Sequence, residues 1–198
     1  MPTTAARRNP IKEEITDVTA GYPWFQPVSH AALYAWTAFY LLFLLHAFRN
    51  TSGFLWIDTA NLVVHEAGHP LFGYLGQTPR VWGGTLLELI VPAALCVAFV
   101  KQRQIPGTVF SGFFFFENFL YIATYMADAR VQVLPLVTAG GDGGEPEHDW
   151  YRIFTDLGVL QHDTQIAAVV RAAGWIGMIA AIAWMWWIAR RSAQVTSS

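Results

Sequence analysis

Five stretches of this chain, residues 31–48, 54–75, 85–100, 107–129 and 166–189, are apolar over a length close to the span of a bilayer. A crossing helix needs about 20 mostly apolar residues, and in lipid a helix satisfies all of its own backbone polar groups. Composition agrees, since 54% of residues are hydrophobic and 13% charged, a balance too apolar for an ordinary soluble domain. The expected fold is an all-α membrane protein, a bundle of about five transmembrane helices plus a short amphipathic surface helix. That last helix is placed at 149–160, where Trp150, Ile153, Phe154 and Leu157 fall at helical spacing opposite Arg152, Thr155 and Asp156. It roofs one end of the bundle. The expected organisation is a polar tail over 1–30 with an interfacial end, Tyr22-Pro-Trp24-Phe25, then one multi-span domain over 31–190 and a polar tail over 191–198.

Charge excludes some functions. The net charge is −2 and no basic cluster forms a nucleic-acid footprint, so no nucleic-acid partner is expected. Cys96 is alone and pairs with no other cysteine of the chain. If all five stretches cross, alternation brings the end of the second, the start of the third, the end of the fourth and the start of the fifth to one face. The opposite face then carries Arg49, Lys101, Arg103, Arg190 and Arg191, with no acid in those short loops. By the positive-inside rule that face, with the C-terminus, is cytoplasmic, and the first face is extracytoplasmic.

That outer face is where the chemistry gathers. Residues 65–69 read His-Glu-Ala-Gly-His inside the second stretch. On a helix His65 and His69 lie one turn apart on one face, so both imidazoles reach a single Zn²⁺ with Glu66 beside the attacking water. Asp58 and Asn61 extend the same stripe, and Glu117, Tyr121, Thr124 and Asp128 form a second stripe on the fourth stretch. Ionisable groups within membrane helices are expensive and mark function more often than not. The bland alternative is a set of polar groups bonded between helices.

A hydrolytic zinc ion takes three protein ligands, and the third is left among several candidates. His148, within Glu147-His148-Asp149-Trp150, ranks first, then Asp128, then Glu88, which follows His69 by 19 residues; Asp142, within Gly140-Gly-Asp-Gly-Gly144, ranks last. Asp149 or Asp58 is placed behind a ligand histidine. Asn118, Tyr121 and Tyr125 are candidate donors to a developing oxyanion.

The pentad, set in a membrane helix and followed by Leu71-Phe72-Gly73, resembles that of the intramembrane zinc metalloproteases of the site-2 protease type. The resemblance is strong over residues 60–76 and loose in the multi-span layout. It implies one zinc per chain on His65 and His69, Glu66 as general base, and a membrane peptide or protein as substrate. In that family the third ligand is an aspartate in an Asn/Pro…Asp-Gly motif. Here Asp142-Gly143-Gly144 follows glycines and precedes Glu145-Pro-Glu-His-Asp, and the chain has no room for a PDZ insertion.

Zinc at such a site lowers the pKa of a bound water towards roughly 7, and Glu66 is the group to accept its proton. Because a helical substrate hides its carbonyls, it must be presented extended. The connection 77–82 could offer an edge for strand addition, although an ordinary loop is the simpler expectation. Two other readings compete. Glu66-Ala-Gly-His69 is also an ExxH, repeated at Glu145-Pro-Glu-His148, as in dimetal-carboxylate oxidoreductases. A non-catalytic membrane protein, either a pseudoprotease or a transporter, is the other.

Overall fold

The computed structural model describes residues 25–50, 52–134 and 148–195. Among these there is no strand. The elements in order are α1 (His30–Arg49), α2 (Asp58–Gly73), α3 (Gln77–Lys101), α4 (Ile105–Ala127), α5 (Asp149–Asp156), one 3-10 turn (Leu160–His162) and α6 (Asp163–Val195). Their ends follow local chemistry. Ser29 Oγ accepts from Ala32 N at 3.2 Å to start α1. Proline in the first turn starts α4 without sacrificing a hydrogen bond.

Four helical segments are long and apolar enough to cross a membrane: His30–Arg49, Gln77–Lys101, Ile105–Ala127 and Leu160–Ser192. The stretch 54–75 is the exception to the five expected. Its helix is 16 residues long, about 24 Å at 1.5 Å per residue, short of the roughly 30 Å hydrocarbon core. The shortening has a local cause. Asp58 turns back to accept from Leu55 N at 2.6 Å, so residues 55–57 form the turn that starts the helix, and Gly76, at φ 119°, ends the turn that follows it.

That shortening changes which ends meet. Gln26 N donates to Arg103 O at 2.8 Å, and Phe25 packs edge-on against Trp184 at 5.4 Å. The start of α1 therefore lies beside the end of α3, the start of α4 and the end of α6. Trp186 Nε1 donates to Thr37 Oγ1 at 3.0 Å, and Tyr40 packs on Phe113 at 4.7 Å, so α1 runs parallel to α4 and antiparallel to α6. Its far end reaches Gly53, whose carbonyl accepts from Thr124 Oγ1 at 3.0 Å, one turn from the end of α4. Arg49 therefore sits toward the end that holds the histidines, not at the opposite end as alternation of five spans placed it.

α2 begins and ends in that same half. The segment that leads into it meets the α4 residues Tyr121 and Thr124 through Phe54 and Gly53, its first turn meets Glu117 through Asn61, and His65 lies 5.7 Å from the Tyr125 ring. Residues 53–65 thus meet only about two turns of α4, from Glu117 to Tyr125. α4 is the central element, buried over more than half of its most apolar stretch, while the other three long helices bury less than a third of theirs. Exposed leucine, isoleucine and valine cover the outside of α1, α3 and α6, including Leu41, Leu42, Ile90, Val97, Ile176 and Ile179.

The amphipathic helix forms over Asp149–Asp156, burying Trp150, Ile153 and Phe154, while Leu157 lies beyond its end and is exposed. Residues 77–82 open α3 as its first helical turns, so they offer no strand edge. The polar tail up to Trp24, Asp142 and the pair Glu145 and Glu147 lie outside the described residues.

Candidate metal centre

α2 turns Asp58, Asn61, His65 and Gly68 inward. Gly68 packs backbone to backbone against Gly83 and Gly84 of α3, where any Cβ would overlap main-chain atoms. This close approach sets the pentad against the first turns of α3. A Cβ on Gly84 would lie 2.5 Å from His65 Nε2, so the missing side chain at 84 is the space in which the imidazole sits. Sequence reading missed both glycines. Their signal, Gly-x₁₄-Gly-Gly across a helical turn, has meaning only once the two helices are seen to touch.

The outer nitrogen of each histidine is anchored. His65 Nδ1 is 3.0 Å from Glu88 Oε1, and His69 Nδ1 is 2.9 Å from the Arg80 carbonyl. Both Nε2 atoms then face the same carboxylate oxygen, Asp149 Oδ2, at 2.9 Å from His65 and 3.4 Å from His69. The rings are 4.9 Å apart and inclined at 75°. One ligand atom from each of His65, Glu66 and His69 falls within 4.8 Å of the others, so this group could hold a metal ion. His65 is buried, while Glu66 and His69 are half-buried at the mouth.

Asp149 is delivered by the first turn of α5. Its backbone N–H donates to Tyr125 Oη at 3.2 Å, and α5 lies on α3 and α4 through Trp150, whose ring meets Trp82 at 5.9 Å. Burial alone would raise the Asp149 carboxyl, but the hydrogen bonds from His65 and His69 outweigh it and hold the group below the usual carboxylate range. It stands ready as an anion between two imidazoles.

The other candidate ligands have different partners. His148 caps α5, its Nδ1 accepting from Tyr151 N at 3.2 Å. Its Nε2 lies 3.4 Å from Asp128 Oδ2 in a poor hydrogen-bonding direction. Burial lowers its pKa, which favours the neutral ring. Asp128 accepts from Val133 N at 2.9 Å and Leu134 N at 3.1 Å, fastening the chain that leaves α4. His148 and Asp128 thus serve the two ends of the connection between α4 and α5. Glu88 stands behind His65 rather than beside both histidines. The ExxH repeat ending at His148 brings that ring to Asp128, away from the pentad.

The candidate oxyanion donors separate in the same way. Asn118 donates to Phe114 O at 3.0 Å along its own helix. Tyr125 stacks on His148 at 4.2 Å and receives the Asp149 N–H. Tyr121 is buried, and its ring packs edge-on against Phe54 at 5.8 Å. Asp58 bonds to Leu55 N and Asn61, so it supports the stripe and does not orient a ligand histidine. Compared with known proteins, the chain matches no family model, no curated protein and no solved structure.

Proposed function

We propose that this chain is a membrane-embedded zinc metallopeptidase, with His65, His69 and Asp149 as the three protein ligands and Glu66 as general base. The observation that carries the reading is the convergence of two Nε2 atoms on Asp149 Oδ2 with both outer nitrogens already anchored. Ligand atoms about 2.0–2.1 Å from a tetrahedral zinc lie roughly 3.3 Å from one another. The 2.9 and 3.4 Å separations found here bracket that edge. Two imidazoles and one carboxylate are a zinc hydrolase donor set, and Glu88 and the Arg80 carbonyl supply the supporting bonds that fix the tautomers.

Bound zinc would supply Lewis acidity toward a peptide carbonyl and toward water. The chain supplies the rest. Glu66, at the half-buried mouth and one residue from His65, accepts the proton of the attacking water and returns it to the departing amine. Tyr121, buried one helical turn before the Tyr125 ring that lies 5.7 Å from His65, is the candidate hydrogen-bond donor to the developing oxyanion. α5 covers the site from one side and keeps bulk water from it.

The same reading sets an orientation. Lys101, Arg103, Arg190 and Arg191 lie at the end where the described chain begins and Arg49, Arg80, Arg130 and Arg152 at the histidine end, so the asymmetry rests on Arg7, Arg8 and Lys12, which precede the first crossing in sequence. Four crossings with α2 held in one leaflet put this end in the cytoplasm and the metal centre toward the outer face. Arg190 and Arg191 lie over the Trp186 and Trp187 rings at 5.7 and 4.1 Å, an interfacial arrangement.

The test is cleavage of a co-expressed single-span membrane peptide. Glu66→Gln should lower turnover by about 10²–10⁴-fold, the usual worth of a general base, while one zinc per chain is retained. Unchanged cleavage by that variant would refute the mechanism.

A further inference from the structure

One turn and more below the histidines, α2 and α4 bring two further carboxyl groups together. Asp58 and Glu117 are both buried, Glu117 completely. Asn61 Nδ2 bridges them, donating to Asp58 Oδ1 at 3.0 Å and to Glu117 Oε2 at 3.2 Å. One amide nitrogen at 3.0 and 3.2 Å from its two acceptors keeps those carboxylate oxygens within about 6 Å of each other. Neither is paired with a lysine, arginine or histidine among the described residues. Glu117 Oε1 is a fully buried oxygen with no hydrogen-bond partner.

Two carboxylates held this closely cannot both be ionised in a low-dielectric interior. One positive charge must reside on the pair, and the smallest is a proton. A cleft of about 40 Å³ lies beside it, lined by Ala47, Asn50, Asp58, Leu120, Arg171 and Trp175 among others. That is enough for water, which needs about 10–15 Å³. Arg171 comes from α6 and donates to Thr124 Oγ1 at 3.2 Å, so a fixed cation and a buried acid share one wall-to-wall opening.

We propose that Asp58 and Glu117, bridged by Asn61, form a proton-binding site that exchanges with water through the Arg171 cleft and is separate from the His65 and His69 centre. The charged and titratable groups nearest the pair are Glu88 from α3, Tyr121 from α4 and Arg171 from α6. Seven residues of α2 separate Asp58 from His65, about 10 Å along the helix. The site does not depend on the hydrolytic reading.

Infrared spectroscopy of the purified full chain in detergent at neutral pH reads the proton directly. The expected result is a carbonyl-stretch band of a protonated carboxyl that is lost in Glu117→Gln and in Asp58→Asn combined with Glu117→Gln. Transfer to heavy water should shift the band within minutes, and Ala47→Phe, which fills the cleft, should slow that shift several-fold. Helical circular dichroism and a monodisperse size-exclusion profile report that each variant folds. If Glu117→Gln does not fold, ¹³C-labelling of glutamate in the unmodified chain assigns the band instead. Four results would overturn the proposal: no such band, a band untouched by Glu117→Gln or by the label, a band that appears only after sodium or divalent ions are removed, or exchange unaffected by Ala47→Phe.

Discussion

At the scale of single residues, the pentad was legible because four-residue spacing on a helix fixes the relation of two imidazoles without any knowledge of the fold. The residue between them was not. His148 headed the ligand candidates and Asp149 was placed only behind a ligand histidine, yet a helix needs its first N–H groups satisfied, and His148 Nδ1 is spent on Tyr151 N. The next position, inside the first turn, is the one whose side chain turns to the histidines. Glu88 was found by spacing and serves one bond further out. Its replacement by alanine should weaken zinc affinity by about 10–100-fold, the usual cost of losing a supporting carboxylate, measured by competition with a chromogenic chelator. Gly84→Ala should do worse, since its methyl would occupy the His65 ring position. The expected outcome is loss of zinc with helicity preserved; full metal content in that variant would contradict the packing.

At the scale of elements, long apolar helices were readable from hydropathy, and their bounds moved by a few residues to wherever a cap stood. α2 shows what hydropathy leaves out. Residues 54–75 are apolar enough in sum to suggest a crossing, but Asp58, Asn61, His65, Glu66 and His69 dilute them, and the Asp58 to Leu55 bond starts the helix late. Residues 77–82 read as a loop because glycines flank them, yet Gly83 and Gly84 are there for close packing and the helix runs through. An expected consequence is topological. Single cysteines at Gly53 and at Gly76, in otherwise cysteine-free chain, should both react with an impermeant maleimide from the same side of sealed vesicles. Labelling from opposite sides would restore α2 as a crossing.

At the scale of the whole molecule, the number of crossings decides where the charges fall. With five, Arg49 joins Lys101 and Arg103; with four, it moves to the histidine end and the start of the described chain takes its place beside Arg103. One short helix thus reorders the ends without altering any of the long ones, which is why the clustering of polar groups was visible in sequence while the entry side was not. The bundle is built to hold α2 against α3 through touching glycines and to close it with α5, and both contacts serve the centre at His65 and His69. The most direct measurement is therefore the metal content of the purified full chain beside its Asp149→Ala and His148→Ala variants. The account predicts one zinc per chain, lost with Asp149→Ala and kept with His148→Ala. Zinc retained without Asp149, or lost only without His148, would contradict it.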